Sequence, residues 1–477
     1  LVLSIDLRLQ TAARRHLAEA VRKHGAAGGS ALLLDSRTAE VLAMINLPDY
    51  NPNDRSGFKY GHFRNRAVTD LFEPGSTVKP FTMSLALASG SFTPDSLIET
   101  SPGYYRIGGW TIHDIRDFGR LTLSGVLIKS SNIGTAKIAM EMAPEELYQM
   151  FRDVGFGRNT GVELPGERAG SLPNRKRWRA SEHASLAYGY GVAVTPLQLA
   201  RAYGILATKG VLLPVSIRKR QRPPSGDQVL PTDVVMEINA MLEKAVSPEG
   251  TAQRAMVPAY RVAGKTGTVR KLSTQGGYRN DSYQALFAGF APVSEPRFVL
   301  VVVIDEPGLE EYYGGEVAAP VFAKIMSDAL RLRGVPPDAG DRVNQIVLSR
   351  QEADLGAVVK HDDSTLPFGV LVDAEAPGAE VAVVFLSGRA PLGGEASLGK
   401  GMVVRLVEQV GPFPLAGPGL QGDEAGSFAE ENVVSIGDKL QGRVGSAVKR
   451  AAAAAGIDCD GGSYQDRPGA CGRTRCC

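Results

Sequence analysis

Leu9, Ala13, Leu17 and Val21 fall at helical spacing, which predicts an amphipathic helix over residues 6–23 that the glycine-rich segment 25–29 terminates. Two short apolar runs follow, residues 31–34 and 41–45, separated by the polar turn 35–38. That pattern predicts a hairpin packed on the helix. From residue 64 to residue 208 the pattern is mostly helical. One start is well marked: Thr195, Pro196 and Gln198 occupy the N-cap, first-turn and capping-box positions. Strand-like runs return at 283–290 and 297–303, and residues 317–332 read as a closing helix. Strands at both ends with helices between them predict an α+β domain whose sheet is assembled from distant segments.

Beyond residue 334 the pattern weakens. Pro336 and Pro337 precede a glycine-rich stretch with β-like runs at 381–386 and 402–407. Residues 451–477 have little apolar bulk and read as disordered. No internal repeat stands out.

Composition narrows the class. Among 477 residues, 53 basic side chains balance 51 acidic ones, and 43% of positions are hydrophobic, as in an ordinary globular protein with no global signal for nucleic acid. Cys459, Cys471, Cys476 and Cys477 lie in the tail, so the rest must fold without disulfides or thiolate-bound metal. They also lack the Cys-x-x-Cys pairing of a zinc site. The longest apolar run, residues 298–304, is too short for a membrane span, and no signal-peptide pattern opens the chain. A leucine at position 1 leads to the expectation that the sequence starts inside a longer protein.

Candidate chemistry begins at Ser76-Thr77-Val78-Lys79, where a spacing of three puts a hydroxyl and an amine on one helix face. The spacing alone is weak evidence, because it recurs at Ser216/Lys219, Ser397/Lys400 and Ser446/Lys449. Context separates the first copy. Pro74 and Gly75 place Ser76 near a helix start, where unpaired amides and the helix dipole favour an oxyanion. Pro80 has no amide hydrogen, which is tolerable only in a first turn. Downstream come Ser130-Ser131-Asn132, the only Ser-x-Asn, and Lys265-Thr266-Gly267-Thr268, the only Lys-Thr-Gly. Gly267, at the start of a strand-like region, would let a substrate backbone lie against a sheet edge.

These three elements, in this order, resemble the motif set of penicillin-binding proteins and serine β-lactamases. The resemblance extends over residues 1–338 to the transpeptidase domain of class B penicillin-binding proteins, notably the septal cell-division transpeptidases. It includes Tyr50-Asn51-Pro52-Asn53, Arg64-Asn65-Arg66-Ala67-Val68, Tyr188-Gly189-Tyr190-Gly191 and Tyr312-Tyr313-Gly314-Gly315. Residues 339–477 depart from the family and read as an extension of unknown structure, partly disordered.

The resemblance implies the penicillin-binding-protein/serine β-lactamase-like fold, an antiparallel sheet flanked by helices with an inserted helical lobe. It implies Ser76 as nucleophile, Lys79 as general base, Ser130 as proton shuttle and Asn132 as the group orienting the substrate amide. The amides of Ser76 and Thr268 would form the oxyanion hole. Thr266, Thr268 and Arg270 would receive the terminal carboxylate of a stem peptide. A lysine of ordinary pKa, ~10.4, is protonated at neutral pH, so Lys79 needs desolvation and a neighbouring cation, for which Lys265 is the candidate.

The implied substrates are D-Ala-D-Ala stem peptides of peptidoglycan with an amine acceptor, and β-lactam antibiotics as inhibitors. No cofactor, metal or nucleic acid is implied. Implied partners are divisome proteins including a SEDS-type glycosyltransferase. The implied location is the bacterial inner membrane, with a periplasmic catalytic domain and an anchor outside this sequence. Tyr190, Tyr312 and Tyr313 read either as cleft walls or as packing residues on glycine turns. The segment 110–114 resembles a family segment beside the cleft, but the stronger reading is a packed loop. His16, His24, His62, His113 and His183 show no metal-ligand spacing. Glu163 and Glu167 could activate water in a hydrolase, but they lack the class A β-lactamase Glu-x-x-x-Asn pattern and read as surface residues. Two other functions stay open: hydrolysis, as a D,D-carboxypeptidase or β-lactamase, and a non-catalytic penicillin sensor or divisome scaffold.

Overall fold

The computed structural model describes residues 2–53, 60–174, 177–272, 277–308 and 310–339, with two strands at 368–372 and 382–386. The chain divides into two units, Leu1–Val358 and Val359–Cys477. The first opens on helix α1 (Leu7–Lys23), whose N-cap Asp6 accepts the Arg8 amide at 3.0 Å. Its buried stripe is Leu9, Ala13, Leu17 and Ala20; Val21 is only partly buried. Strands β1 (Gly28–Asp35) and β2 (Val41–Leu47) form the expected antiparallel hairpin, with Leu32 opposite Met44.

The inserted lobe carries α2 (Arg66–Thr69), α3 (Lys79–Ala88), strands β3 (Leu97–Glu99), β4 (Tyr104–Ile107), β5 (Trp110–His113) and β6 (Arg120–Thr122), and helices α4 (Leu123–Lys129), α5 (Asn132–Met140), α6 (Pro144–Asp153), α7 (Ala180–Ala187) and α8 (Pro196–Ala207). Thr195 and Gln198 close the expected capping box at the start of α8. The four strands are a departure from the helical reading, since β3 pairs with β6 and β4 with β5. Strands of 3 or 4 residues are shorter than the window in which periodicity becomes legible. A two-residue ribbon, β7 (Val211–Leu212) with β8 (Asp227–Gln228), precedes α9 (Thr232–Ala245).

The chain then returns to the sheet as β9 (Ala263–Leu272), β10 (Tyr278–Ala291) and β11 (Phe298–Asp305), and α10 (Gly314–Leu332) closes it. The antiparallel order is β2-β1-β11-β10-β9, with β9 at an edge. Both faces are covered, which explains why β1 and β11 read as continuous apolar runs and not as alternation. Phe298, Leu300, Val302 and Ile304 pack in the core with α1 and α10. Val299, Val301 and Val303 pack in the core shared with the lobe. This is the α+β sandwich that the distant strand segments implied.

In the second unit, β12 (Phe368–Val372) pairs antiparallel with β13 (Ala382–Leu386), close to the run expected at 381–386. The run at 402–407, the tail 451–477 and the four cysteines lie outside the described residues. Among the described residues, no helix is long and apolar enough to cross a membrane.

Candidate active site

Ser76 lies in the one-turn 3-10 helix Gly75–Val78, directly ahead of α3. In a 3-10 turn residues three apart eclipse each other, so Ser76 and Lys79 lie over the same side of the chain. The turn is held from several directions. Gly75 adopts a φ of +52° and donates its amide to Gly189 at 3.1 Å. Thr77 Oγ1 bonds Pro74 O at 2.7 Å, and Tyr203 Oη bonds Thr77 O at 2.9 Å. The Ser76 carbonyl, which Pro80 cannot serve, accepts the Lys79 amide instead. From residue 72 to residue 84 every residue is buried except Ser76, which is half-buried.

Lys79 is fully buried at the start of α3. Its Nζ lies 2.6 Å from Ser130 O, 2.8 Å from Asn132 Oδ1 and 3.3 Å from Ser130 Oγ. Burial pushes its pKa well below the ordinary value, the charge of Lys265 pushes it further the same way, and Asp114 opposes both. A neutral amine has two N–H donors and one lone pair. The two shortest contacts take the donors, leaving the lone pair able to accept a hydroxyl proton.

Ser130 is the C-cap of α4, in the left-handed region at φ +61°, which puts its carbonyl and hydroxyl on Lys79. A serine in that conformation costs about 1 to 3 kcal/mol, so the strain persists only where surroundings enforce it. Ser131 caps α5 through Gly134 N at 2.8 Å, and Asn132 is the first residue of that helix. Lys265, on edge strand β9, is also fully buried, and burial lowers its pKa to about 7.

A family model described as the penicillin binding protein transpeptidase domain matches residues 29–327. The chain belongs to this family. Its relatives are class B penicillin-binding proteins. It is 45% identical over 336 residues to the probable peptidoglycan D,D-transpeptidase PbpC of Pseudomonas aeruginosa, covering 70% of this chain and 59% of that one. It is 45% identical over 359 residues to peptidoglycan D,D-transpeptidase FtsI of Escherichia coli K12, covering 75% and 60%. The chain thus spans about 60% of the length of these curated relatives. The transpeptidase domain of penicillin-binding protein 3 from Burkholderia pseudomallei superposes with a TM-score of 0.65 at 44% identity, covering 71% of this chain and 98% of that domain.

In this penicillin-binding protein fold the three sequence elements meet: Lys79 with Ser130 and Asn132 by hydrogen bonds, and with Lys265 by charge. The proposed carboxylate-binding residues are more dispersed. Thr266 Oγ1 is 2.8 Å from Thr251 Oγ1, and Thr268 Oγ1 accepts the Gly314 amide at 2.9 Å, capping α10. Arg270 is exposed, and its charge acts on Tyr190 and Tyr312. Tyr190 sits in a ring cluster, 5.6 Å from both Tyr188 and Tyr278, and burial raises its pKa to about 12. Tyr312 stacks on Tyr283 at 4.2 Å and on Tyr313 at 4.6 Å; Tyr313 is exposed.

Gly267 has a reason beyond substrate approach. A Cβ there would lie 3.0 Å from Thr77 Cγ2 and 3.1 Å from Pro74 O, so the glycine lets the Ser76 turn dock on β9. Two carboxylates were given no role by the sequence reading. Asp114 accepts from Ser131 Oγ at 2.5 Å, Asn132 N at 2.6 Å and Ile133 N at 3.2 Å, so the segment 110–114 is more than a packed loop. Glu73 is 8% exposed; its Oε1 accepts from Gly191 N at 2.7 Å and Tyr278 Oη at 3.2 Å, while Oε2 is buried with no partner. Burial raises its pKa.

The remaining residues have other duties. Glu163 is exposed and paired with Arg218 at 3.0 Å. Glu167 is partly buried and accepts from Thr160 N and Oγ1, both at 2.5 Å, so it staples a loop and is not a free surface residue. His16 lies 2.9 Å from Asp328, and His183 is buried. Among the described residues no three His, Cys, Asp or Glu side chains are grouped as metal ligands.

Proposed function

We propose that this chain is the catalytic part of a peptidoglycan D,D-transpeptidase that works through an acyl-enzyme on Ser76. One observation carries the reading: a buried Lys79 of depressed pKa, its donors engaged by Ser130 O and Asn132 Oδ1, one 3-10 turn from a half-buried serine whose Oγ makes no hydrogen bond among the described residues.

In this reading Lys79 takes the Ser76 proton as Oγ attacks the carbonyl of the D-Ala-D-Ala peptide bond. The backbone amides of Ser76 and Thr268 hold the oxyanion, each worth roughly 2.7 to 4 kcal/mol in comparable sites. Ser130 relays the proton to the departing D-alanine amine, Asn132 aligns the substrate amide, and Thr266, Thr268 and Arg270 receive the terminal carboxylate. An amine of a second stem peptide then attacks the ester, closing the cross-link and freeing Ser76. A β-lactam acylates the same oxygen, but its leaving amine stays tethered. Tyr190, Tyr312 and Tyr313 wall the cleft.

Residues 1–338 form the transpeptidase domain and 339–477 an extension. The full protein is anchored in the bacterial inner membrane with this domain in the periplasm. There it acts in septal cell-wall synthesis with divisome proteins that include a SEDS-type glycosyltransferase. The relatives named as peptidoglycan D,D-transpeptidases support the cross-linking activity.

The test is covalent labelling by a fluorescent penicillin. The parent chain labels and Ser76→Ala does not; a labelled Ser76→Ala protein would overturn the assignment. Loss of the adduct within seconds would shift the reading to a hydrolase. Glu163 and Glu167 engage Arg218 and Thr160, and neither contacts Lys79 or Ser130. Clean labelling without cross-linked product from lipid-linked precursors would shift it to a sensor.

A further inference from the structure

The structure assigns Asp114, just beyond β5, as a positioning residue of this site: it anchors the turn carrying Ser130 and Asn132, and Asn132 in turn holds the Lys79 amine. This rests on the reading of Lys79 as the base. Asp114 Oδ1 accepts the amides of Asn132 at 2.6 Å and Ile133 at 3.2 Å, the first two residues of α5. Its Oδ2 accepts the Ser131 hydroxyl at 2.5 Å, and that hydroxyl in turn accepts the Gly134 amide at 2.8 Å. The otherwise unpaired donors of the helix start are thus gathered on one anion, where the helix dipole also favours negative charge.

The consequence reaches Asn132. Its Nδ2 donates to His113 O, next to Asp114, at 3.1 Å, and its Oδ1 accepts from Lys79 Nζ at 2.8 Å. The amide that holds the lysine is therefore fixed through its own backbone and side chain by the end of β5. Electrostatics adds a second effect. Two charged groups act on Lys79: Lys265 from β9 disfavours its ammonium form and Asp114 favours it. Burial is the largest cause of the depression, and Asp114 moderates it.

The sign follows. Replacing Asp114 by a neutral group of the same shape removes a charge that stabilises the ammonium, so Lys79 becomes a free base at lower pH. Asp114→Asn keeps an oxygen that can accept from the α5 amides; Asp114→Ala loses both the charge and the anchor. The experiment measures acylation by a fluorescent penicillin against pH in the full chain, comparing absolute rates between variants and, for the position of the acid limb, each profile normalised to its own plateau. In parallel, the Lys79 13Cε resonance, assigned by its loss in Lys79→Arg, is titrated by NMR.

Asp114→Asn is expected to move both the acid limb and the NMR titration to lower pH. Asp114→Ala is expected to slow acylation by at least about tenfold at all pH values, the scale of a lost alignment. An NMR titration of Asp114→Asn that superimposes on the parent's, or an Asp114→Ala variant acylating at the parent's rate, overturns the assignment. The NMR reading does not need acylation, and Ser76→Ala separately tests the reading beneath it, so the two failures are distinguishable.

Discussion

Residues 76–79 and residues 216–219 carry the same Ser-x-x-Lys spacing in opposite settings. The first lies in a 3-10 turn running into α3, with Lys79 fully buried against Ser130 and Asn132. The second runs extended, bridging Glu40 and Leu3 through Ser216 and Arg218, with Lys219 exposed. Extended chain sends residues three apart to opposite sides, while a 3-10 turn stacks them. Ser216 Oγ spends itself locally, donating to Arg218 O at 2.9 Å and accepting the Arg218 amide at 3.0 Å. Spacing proposes a pair. Backbone geometry and burial decide whether the amine can act as a base.

The strongest way to break this comparison is to remove both lysines in turn. Lys79→Ala is expected to slow acylation by a fluorescent penicillin by about 10⁴-fold, the upper range for a general base. Lys79→Arg should be nearly as slow, since a guanidinium does not deprotonate. Lys219→Ala should label within about twofold of the parent, as a solvated surface change does. Slow labelling of Lys219→Ala, or fast labelling of Lys79→Arg, defeats the contrast.

Lys265 sharpens it as a matter of stability. Its folded pKa of about 7 lies below the ordinary 10.5 of the unfolded chain. Between those values the unfolded chain binds a proton that the folded one does not, so this group makes stability rise with pH across the window. Its cost is fully present below about pH 7 and is on the order of 5 kcal/mol for a fully buried amine. Lys265→Met should therefore be the more stable protein at pH 6 in chemical denaturation, with an advantage that shrinks toward pH 10. Acylation falls in the same variant. Equal stability at pH 6 would show that the burial of Lys265 is costless.

Which of these features the sequence disclosed depends on their range. The helix at α1, the β1–β2 hairpin and α10 were legible because each is written in local apolar periodicity. The burial of Lys79 was legible only as a requirement of its role as base, because Thr77, Thr82 and Ser84 interrupt the apolar residues around it. Asp114 and Glu73 were not. Asp114 meets Asn132 across 18 positions and Glu73 meets Gly191 across 118, and no spacing rule links such pairs. Thr266 and Thr268 stood in the expected strand, yet their hydroxyls bond Thr251 and Gly314. Strand alternation gives a face, not a partner.

Gly267→Ala tests how the Ser76 turn is seated. The new Cβ meets Thr77 Cγ2 at 3.0 Å, Leu286 Cδ1 at 3.1 Å and Pro74 O at 3.1 Å. A methyl forced into such a contact costs about 1 to 3 kcal/mol. Melting temperature should fall, and acylation should slow more than the melting change explains, because Thr77 and Pro74 flank the serine. Unchanged acylation would mean the turn is positioned from the Gly189 side alone.

Glu73→Gln is the smallest effect and the finest probe of that other side. Glu73 precedes Ser76 by three residues and ties the turn to Gly191 N and Tyr278 Oη, while its second oxygen is buried and unpaired. Its folded pKa is raised by burial, so the folded protein holds a proton that the unfolded chain has released. Stability from this group therefore falls as pH rises above the ordinary carboxyl value of 4.5 and levels off beyond the raised pKa. Glutamine keeps an oxygen for Gly191 and Tyr278 without that penalty. The variant should match the parent near pH 4.5 and exceed it by about 1 kcal/mol at pH 8, the scale of one buried polar group left unmatched. A parent that gains on the variant as pH rises would mean the carboxylate is the stabilising form, and that the anchor of the Ser76 turn is a charge rather than a neutral hydrogen bond.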